Sequence, residues 1–299
     1  MTYTQSFIML CGLPGAGKST YAKMLLEENS NNFYQVVSSD SIRQELYGDE
    51  SEQGDPNEVF SKVRTDIEMY LRQGYSVVYD ATNLTRKDRR KILEKIPCNV
   101  LKECHVVWDW LENCIETDEA RDRTVGADII FNMAKRFQAP YYDEGFAVVK
   151  YNVSDRDVWF NPRIEDNDIL HDNKNHTLTI QEHMVKASRY LDKSEPEFIK
   201  IAAAIHDIGK PYVKEFKDSK DNDCTEAHYY RHENVGGWQA YGAIELLPYK
   251  LFTEEEKAFI IWLVCNHMEP FHNSRYYQKL PLLQSYWLDK LHEADRAAH

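Results

Sequence analysis

The first half of the chain alternates short apolar runs with longer stretches of helical periodicity. Residues 7–11 form a continuous apolar run of the kind found in buried parallel strands, followed by a helical pattern at 18–28. Further strands are predicted at 35–38, 76–80, 100–107 and 146–153, and further helices from 40, at 57–72, 85–95, 111–121 and 127–137. Strands that alternate with helices predict an α/β fold with a doubly wound parallel sheet.

The second half has a different pattern. Residues 155–176 are rich in Asp and Asn, contain Pro162 and lack sustained periodicity, which is typical of a connector. From Thr177 onward the pattern is purely helical, with no β-rich run, and predicts helices at 180–191, 196–206, 234–246, 254–266 and 282–292. We therefore expect an α/β domain at 1–152, a linker at 153–176 and an all-α domain at 177–299.

A phosphate-binding motif lies between the first strand and the first helix. Gly12 to Ser19 match GxxxxGK[ST] in full, with a strand before and a helix after, a context that disfavours a chance glycine-rich turn. Backbone amides of the loop and the helix N-terminus attract phosphate oxygens. Lys18 is expected to reach the β- and γ-phosphates of ATP or another nucleoside triphosphate, and Ser19 to bind Mg²⁺. The phosphate-binding residues of the loop are Gly12, Gly15, Ala16, Gly17, Lys18 and Ser19.

Downstream charged residues are candidates for the acceptor side of a phosphoryl transfer. Asp40 and Arg43 stand one helical turn apart after the second strand, at the carboxyl edge where α/β sheets bind ligands. A carboxylate there can accept a proton from an attacking hydroxyl, but Asp is also a common helix cap. The basic helix with Arg86, Arg89 and Arg90 is interpretable as a solvated face or as part of the site.

These segments together resemble the kinase domain of 5′-hydroxyl polynucleotide kinases of the end-healing type, over residues 7–150. The shared segments are 12–20, 39–43, 80–83 with the arginines that follow, Pro140, and 144–146. The resemblance adds Thr20 to the nucleotide-binding residues, makes Asp40 the general base and Arg43 a contact to the acceptor end, and assigns a lid arginine, Arg123 rather than Arg121, to the donor phosphates. One departure is Val125-Gly126, where family members often carry Val-Pro.

Composition narrows the class of protein. The 299 residues are 42% hydrophobic and 28% charged, as in ordinary globular proteins, and no apolar run approaches membrane-spanning length. The first residues lack a signal-peptide pattern, and the six cysteines show neither CxxC nor disulfide-scaffold spacing, so we expect a reducing cytoplasm. The net charge of −13 disfavours a long nucleic-acid track but permits a substrate bound only at its end.

Histidines and aspartates in the helical half are candidate metal ligands. His206 and Asp207 end an apolar helix, where both side chains can converge on one ion. Imidazole with carboxylate suits Mn, Fe, Ni or Zn, and two such ions can activate water for phosphoester hydrolysis. A single buried histidine is more often a core residue. The candidates form an ordered set: His183, His206, Asp207, His232, His267 and Asp295.

This ordered set resembles the HD-domain phosphohydrolases over residues 177–299, in particular the HD domains of bacterial tRNA nucleotidyltransferases. The resemblance implies that His183, His206, Asp207 and Asp295 bind one ion. Where a second ion binds, His232 and His267 hold it with Asp207 shared. It leaves His228 and His272 either as bystanders or as residues that contact the ion's ligands without binding the ion, and it allows Lys210 to touch substrate phosphate.

Three functions fit these features. The preferred one is a bifunctional enzyme that heals RNA or DNA ends for a separate ligase, phosphorylating 5′-hydroxyls and hydrolysing 2′,3′-cyclic phosphates or 3′-phosphates. The alternative is a small-molecule or nucleoside kinase with a nucleotide-hydrolysing HD domain, which the acidic charge favours slightly. A third, a nucleotide-binding switch without phosphoryl transfer, is argued against by Asp40, a ready general base.

Overall fold

A computed structural model describes residues 4–28, 33–50, 52–121, 123–153, 169–173, 177–247 and 252–299. Within them the chain divides by its internal contacts into two compact units. One unit comprises residues up to 133 together with 140–153, and the other comprises 134–139 and the residues from 169 onward. Most of the predicted linker at 153–176 lies outside the described residues.

The first unit is a parallel sheet with helices between its strands. The sheet has five strands in the order β2-β3-β1-β4-β5, all parallel, which confirms the predicted fold. Each predicted strand is present to within two residues. The elements are β1 (Ser6–Cys11), α1 (Lys18–Glu28), β2 (Tyr34–Ser38), α2 (Ser39–Tyr47), α3 (Pro56–Arg72), β3 (Ser76–Asp80), α4 (Arg86–Leu93), β4 (Leu101–Trp108), α5 (Leu111–Glu119), α6 (Ala127–Ala134) and β5 (Val148–Val153).

Local sequence sets several of these helix ends. The Ser38 side chain accepts a hydrogen bond from the Asp40 amide and so caps α2, which ends at Gly48 with a left-handed φ of 76°. Asp55 caps α3 in the same way, with Pro56 at the first helical position, where its missing N–H costs nothing. Thr85 caps α4 through the amide of Asp88.

The second unit is helical, as predicted. Its core contains fully buried Trp238 and Trp262, and Phe137 packs edge-on against Trp238 at 5.2 Å. The helices are α7 (Ile180–Tyr190), α8 (Glu197–Ile205), α9 (Lys210–Val213), α10 (His232–Glu245), α11 (Glu254–Asn266), α12 (Glu269–His272) and α13 (Leu282–Ala297).

A small β-hairpin interrupts this helical unit, so the expectation of an unbroken helical pattern was wrong at this point. β6 (Glu215–Lys217) pairs antiparallel with β7 (Asp223–His228). The hairpin's sequence is mostly polar and shows no hydrophobic alternation, which is why it gave no strand signal. Among the helices of the described residues, none combines the length and apolar character that crossing a bilayer requires.

Candidate active sites

Glycines shape the loop between β1 and α1. A Cβ on Gly15 would lie 2.0 Å from the carbonyl oxygen of Cys114, and the φ of Gly15 is 83°, in the left-handed region. A Cβ on Gly12 would lie 2.4 Å from the carbonyl oxygen of Val107. Only glycine fits such close backbone approaches. The loop therefore delivers the chain into the N-terminus of α1, the end of a helix that attracts phosphate.

Lys18 and Ser19, the predicted phosphate and Mg²⁺ ligands, stand at the start of α1. The Lys18 ammonium donates to the Leu13 carbonyl at 2.8 Å, across the loop. Burial lowers the pKa of Lys18 below its ordinary value, and the nearby Asp80 carboxylate raises it in part. The Ser19 hydroxyl donates to Asp80 Oδ2 at 2.9 Å. Among the other predicted loop residues, Ala16 is buried, Gly17 has a φ of 91°, and Thr20 is exposed beside Ser19.

Asp80 was not assigned a role from the sequence, and the structure makes it a candidate for the Mg²⁺ site. It ends β3, is 7% exposed, and β3 lies next to β1 in the sheet. In P-loop enzymes an acid on a neighbouring strand holds Mg²⁺ together with the loop Ser or Thr. The available signal was an aspartate at the end of a buried strand.

The acceptor-side pair lies at the same edge of the sheet. The register pairs Ser38 with Asp80, so Asp40 follows the end of β2 beside the end of β3. Asp40 Oδ1 lies 2.6 Å from Arg43 Nη1, and the Asp40 side chain is 54% exposed. Because Ser38 caps α2, the Asp40 carboxylate is not the cap of this helix. The carboxylate is therefore exposed at the edge where an acceptor hydroxyl can reach it.

The segment before α6 carries the predicted lid arginine. Arg123 Nη1 lies 3.3 Å from Glu50 Oε1. The buried Asp118 accepts hydrogen bonds from the amides of Val125 and Gly126 at 2.7 and 2.9 Å, and the φ of Gly126 is 98°. Proline has neither the N–H nor access to this φ. Val125-Gly126 therefore builds a turn that Val-Pro at these two positions could not form.

The basic helix α4 is not simply a solvated face. Arg89 is fully buried, and its Nε and Nη2 donate to the two carboxylate oxygens of Glu144 at 2.9 and 2.6 Å. Its Nη1 also donates to the carbonyl of Asn83 at 3.0 Å. The loop it holds reaches the phosphate loop, because the Gly12 amide donates to the Thr82 carbonyl at 3.0 Å. The Arg89–Glu144 pair thus supports the phosphate loop through residues 82 and 83.

In the helical unit, all six predicted ligands come together. His183 lies on α7, His232 at the start of α10 and Asp295 on α13. His206 and His267 end α8 and α11, and Asp207 follows His206. Five separate helices thus converge on one centre.

The two oxygens of Asp207 face two different groups of ligands. Asp207 Oδ1 lies 3.2 Å from His232 Nε2 and 3.7 Å from His267 Nε2. Asp207 Oδ2 lies 3.5 Å from His183 Nε2 and 3.4 Å from His206 Nε2. Asp295 joins this second group, with Oδ1 2.9 Å from His183 Nε2 and 3.4 Å from His206 Nε2. The possible ligand atoms of His183, His206 and Asp295 all lie within 4.8 Å of one another, and the same holds for Asp207, His232 and His267.

Backbone carbonyls orient three of the imidazoles. The Nδ1 atoms of His206, His232 and His267 each lie 2.8 Å from the carbonyl oxygen three residues earlier in the chain. A carbonyl only accepts, so each Nδ1 carries a proton, and Nε2 is the ring atom left to face the centre and to bind an ion once it carries no proton. This arrangement is the one a metal ion needs from a histidine ligand.

The electrostatics of the cluster also favour a cation. Burial lowers the pKa of His206, but the carboxylates of Asp207 and Asp295 outweigh it and raise that pKa to about 10. Burial raises the pKa of Asp207, yet Lys210 and His206 hold it well below its usual range. Burial and neighbouring imidazoles lower the pKa of His267 to about 3. The ionised carboxylates thus favour positive charge at the centre, which a proton on His206 supplies where no ion is bound and a divalent ion can supply in its place.

Two family models match the chain. Residues 7–140 match the AAA domain and residues 174–294 match the HD domain. The chain therefore consists of a kinase-like AAA domain followed by an HD domain. None of the curated proteins compared with the chain is a significant match.

Several solved structures are similar to part of this chain. A chain of the Pnkp1/Rnl/Hen1 RNA repair complex is 20% identical with a TM-score of 0.37, and the match covers 42% of this chain and 40% of that one. A fungal RNA kinase is 15% identical (TM-score 0.36, covering 55% and 42%), and a gluconokinase from Sinorhizobium meliloti 1021 is 17% identical (0.37, covering 52% and 86%). The matches cover less than two thirds of the length of the RNA repair complex chain and of the fungal RNA kinase.

Proposed function

We propose that this chain, a kinase-like AAA domain followed by an HD domain, heals the two ends of a cleaved RNA. The AAA domain transfers a phosphoryl group from ATP to a 5′-hydroxyl, and the HD domain hydrolyses a 2′,3′-cyclic phosphate or 3′-phosphate. One observation carries the proposal: a phosphate-donor site and a two-group histidine–aspartate cluster occur in one chain. Cleavage that leaves a 5′-hydroxyl and a cyclic phosphate requires these two chemistries before a separate ligase can act.

In the kinase reaction, Lys18 and the loop amides would hold the β- and γ-phosphates, and Ser19 and Asp80 would hold Mg²⁺. The acceptor oxygen attacks the γ-phosphorus, the bond to the β-phosphate oxygen breaks, and ADP leaves. Asp40, whose side chain is exposed at the sheet edge and so accessible to an acceptor, takes the proton of the attacking hydroxyl. Arg43, whose Nη1 lies 2.6 Å from Asp40 Oδ1, would position this carboxylate and bind the acceptor end. Arg123 leaves Glu50 to neutralise charge on the donor phosphates.

In the HD reaction, His183, His206 and Asp295 would hold one transition-metal ion (Mn, Ni, Fe or Zn) and Asp207, His232 and His267 a second. The two oxygens of Asp207 face both groups, so this carboxylate could contribute to each. When bound, such ions supply Lewis acidity toward the phosphoester and toward water. The chain's own part is to fix the ligand lone pairs through the backbone carbonyls and to hold Lys210, whose Nζ lies 2.6 Å from Asp207 Oδ2, near the phosphate.

The net charge of −13 favours a second candidate, a small-molecule or nucleoside kinase with a nucleotide-hydrolysing HD domain. An acidic chain gains little from counterion release along a polynucleotide. The two candidates differ in the acceptor, because a site for a strand end gains affinity from the nucleotides next to the end, and a site for a free nucleoside does not.

Transfer of the γ-phosphate of radiolabelled ATP to competing acceptors tests the proposal. The panel contains a 5′-hydroxyl RNA oligonucleotide, the matching DNA, free nucleosides and sugars, with Asp40→Asn as the inactive control. We expect the oligonucleotide to be the best acceptor by kcat/KM. Label found only in nucleosides or sugars would reject end healing in favour of the second candidate.

A further inference from the structure

A buried histidine that belongs to no motif lies beside the metal-ligand cluster. His171 has no exposed surface, and its ring packs edge-on against the ring of His183 at a centroid distance of 5.6 Å. Its Nδ1 lies 2.9 Å from the carbonyl oxygen of Leu178, and its Nε2 lies 3.2 Å from Lys210 Nζ. His171 thus links the segment before α7 to the lysine that follows His206-Asp207.

The segment that carries His171 is fixed to the helical unit on both sides of the histidine. Leu170 forms an antiparallel bridge with Thr179, and its carbonyl accepts from Lys214 Nζ at 2.8 Å. The Asp172 carbonyl accepts from the Ala227 amide at 2.9 Å. The Tyr229 hydroxyl donates to the carbonyl of His171 itself. The position of the His171 imidazole is therefore fixed by contacts on both sides of it in the chain.

The hydrogen bonds define the direction of donation. The Leu178 carbonyl only accepts, so His171 Nδ1 carries the proton and Nε2 accepts from the Lys210 ammonium. Lys210 is 7% exposed, and its Nζ also lies 2.6 Å from Asp207 Oδ2 and 5.5 Å from the centre of the Tyr229 ring. Two of the three ammonium donors are thus directed to Asp207 and His171, and a phosphate oxygen can take the third.

A lysine needs such a second anchor at this place. Its four-carbon stem has several rotatable bonds, and holding the ammonium in one position costs side-chain entropy. A cation bound to Asp207 Oδ2 would compete with Lys210 for that oxygen, whereas His171 Nε2 offers Lys210 a second, uncharged acceptor.

We propose that His171 is a positioning residue of the HD site, which holds the Lys210 ammonium where it binds an oxygen of the substrate phosphate. The inference rests on the proposed function of the HD domain. It adds to that function a residue, His171, that acts only through Lys210 and binds neither the metal nor the substrate.

Two measurements test this role. The first uses protein with ¹⁵N-labelled lysine and no added metal, and follows the Nζ–H resonance of Lys210, assigned by its loss in Lys210→Met. We expect this resonance to vanish or shift in His171→Phe and to persist in His171→Gln, whose side-chain oxygen can accept in place of Nε2. His272→Phe, an exposed histidine outside the cluster, should leave it unchanged. An unchanged Lys210 resonance in His171→Phe would overturn the proposal.

The second measurement is the affinity of Mn²⁺-loaded protein for inorganic phosphate by calorimetry. Loss of one charge-assisted hydrogen bond predicts about 10-fold weaker phosphate binding in both His171→Phe and Lys210→Met, with Mn²⁺ affinity unchanged in His171→Phe. The double variant should bind no more weakly than Lys210→Met alone. Additive losses, or weakened Mn²⁺ binding in His171→Phe, would contradict action through Lys210. Failure of the native protein to bind Mn²⁺ would reject the proposed HD function, and the resonance experiment would still decide the role of His171.

Discussion

The buried ion pair under the phosphate loop gives a prediction with a definite magnitude. Arg89 and Glu144 both have side chains with no exposed surface, and their atoms approach to 2.6 Å. The variant Glu144→Gln keeps the shape and an acceptor oxygen but leaves the Arg89 charge uncompensated in the interior. Removing one partner of a buried pair costs about 3–5 kcal/mol. With an m-value of about 2 kcal/mol per molar urea, the unfolding midpoint should fall by about 2 M.

Hydrogen exchange at increasing urea, measured by mass spectrometry in peptides spanning β3 and α4, locates this loss in the AAA domain. Peptides from α10 and α11 of the HD domain serve as the internal reference. The matched control is Glu119→Gln, an exposed residue at the end of α5 whose replacement should change stability by about 0.5 kcal/mol or less. Glu144→Gln should also weaken ATP binding, because the loop held by Arg89 hydrogen-bonds to Gly12. A midpoint shift no larger than that of the control would refute the reasoning.

Three further predictions concern the two sites. Asp40→Asn should lower kcat about 10²-fold or more with little change in ATP affinity, while Arg43→Ala should raise the KM for the acceptor. Steady-state kinetics measure both effects. A near-normal kcat in Asp40→Asn would show that Asp40 is not the general base. Gly126→Pro should lower the melting temperature more than Gly126→Ala. Both substitutions strain the φ of residue 126, but only proline also removes the N–H that donates to Asp118. An equal fall in melting temperature in the two variants would contradict the importance of that hydrogen bond. Hydrolysis should stop with a strong chelator, return with Mn²⁺ or Ni²⁺, and be lost most completely in Asp207→Ala. Elemental analysis that finds no metal, with no Mn²⁺ uptake and no hydrolysis of any phosphoester, would mark the cluster as catalytically silent.

Patterns that depend on neighbours in sequence were readable from the chain alone. The phosphate loop needs a strand, a glycine-rich turn and a helix in direct succession, and all three stand in the sequence from residue 7 to 28. The histidine and aspartate set was recognised from its order, and the structure brings all six members together. The sequence left Asp40 either as a helix cap or as a general base. The structure has Ser38 as the cap of α2, so the cap is excluded and the general base stays a prediction.

Features that depend on distant partners were not readable. Helix α4 has the sequence of a solvated face, and the burial of Arg89 follows from Glu144, 55 residues further on. His171 gains its meaning from Lys210, 39 residues away. The hairpin β6–β7 lacks apolar alternation and is held by pairing rather than by its own propensity. In each case a tertiary contact overrides the local signal.

The most direct test of the account uses one substrate that carries both ends. An RNA oligonucleotide with a 5′-hydroxyl and a 2′,3′-cyclic phosphate is incubated with ATP, Mg²⁺ and Mn²⁺, and the products are resolved by mass spectrometry. The account predicts a gained phosphate at the 5′ end and an opened or removed phosphate at the 3′ end. Lys18→Ala should abolish only the 5′ change, and Asp207→Ala only the 3′ change. An oligonucleotide left unaltered at both ends by a protein that phosphorylates free nucleosides would contradict it.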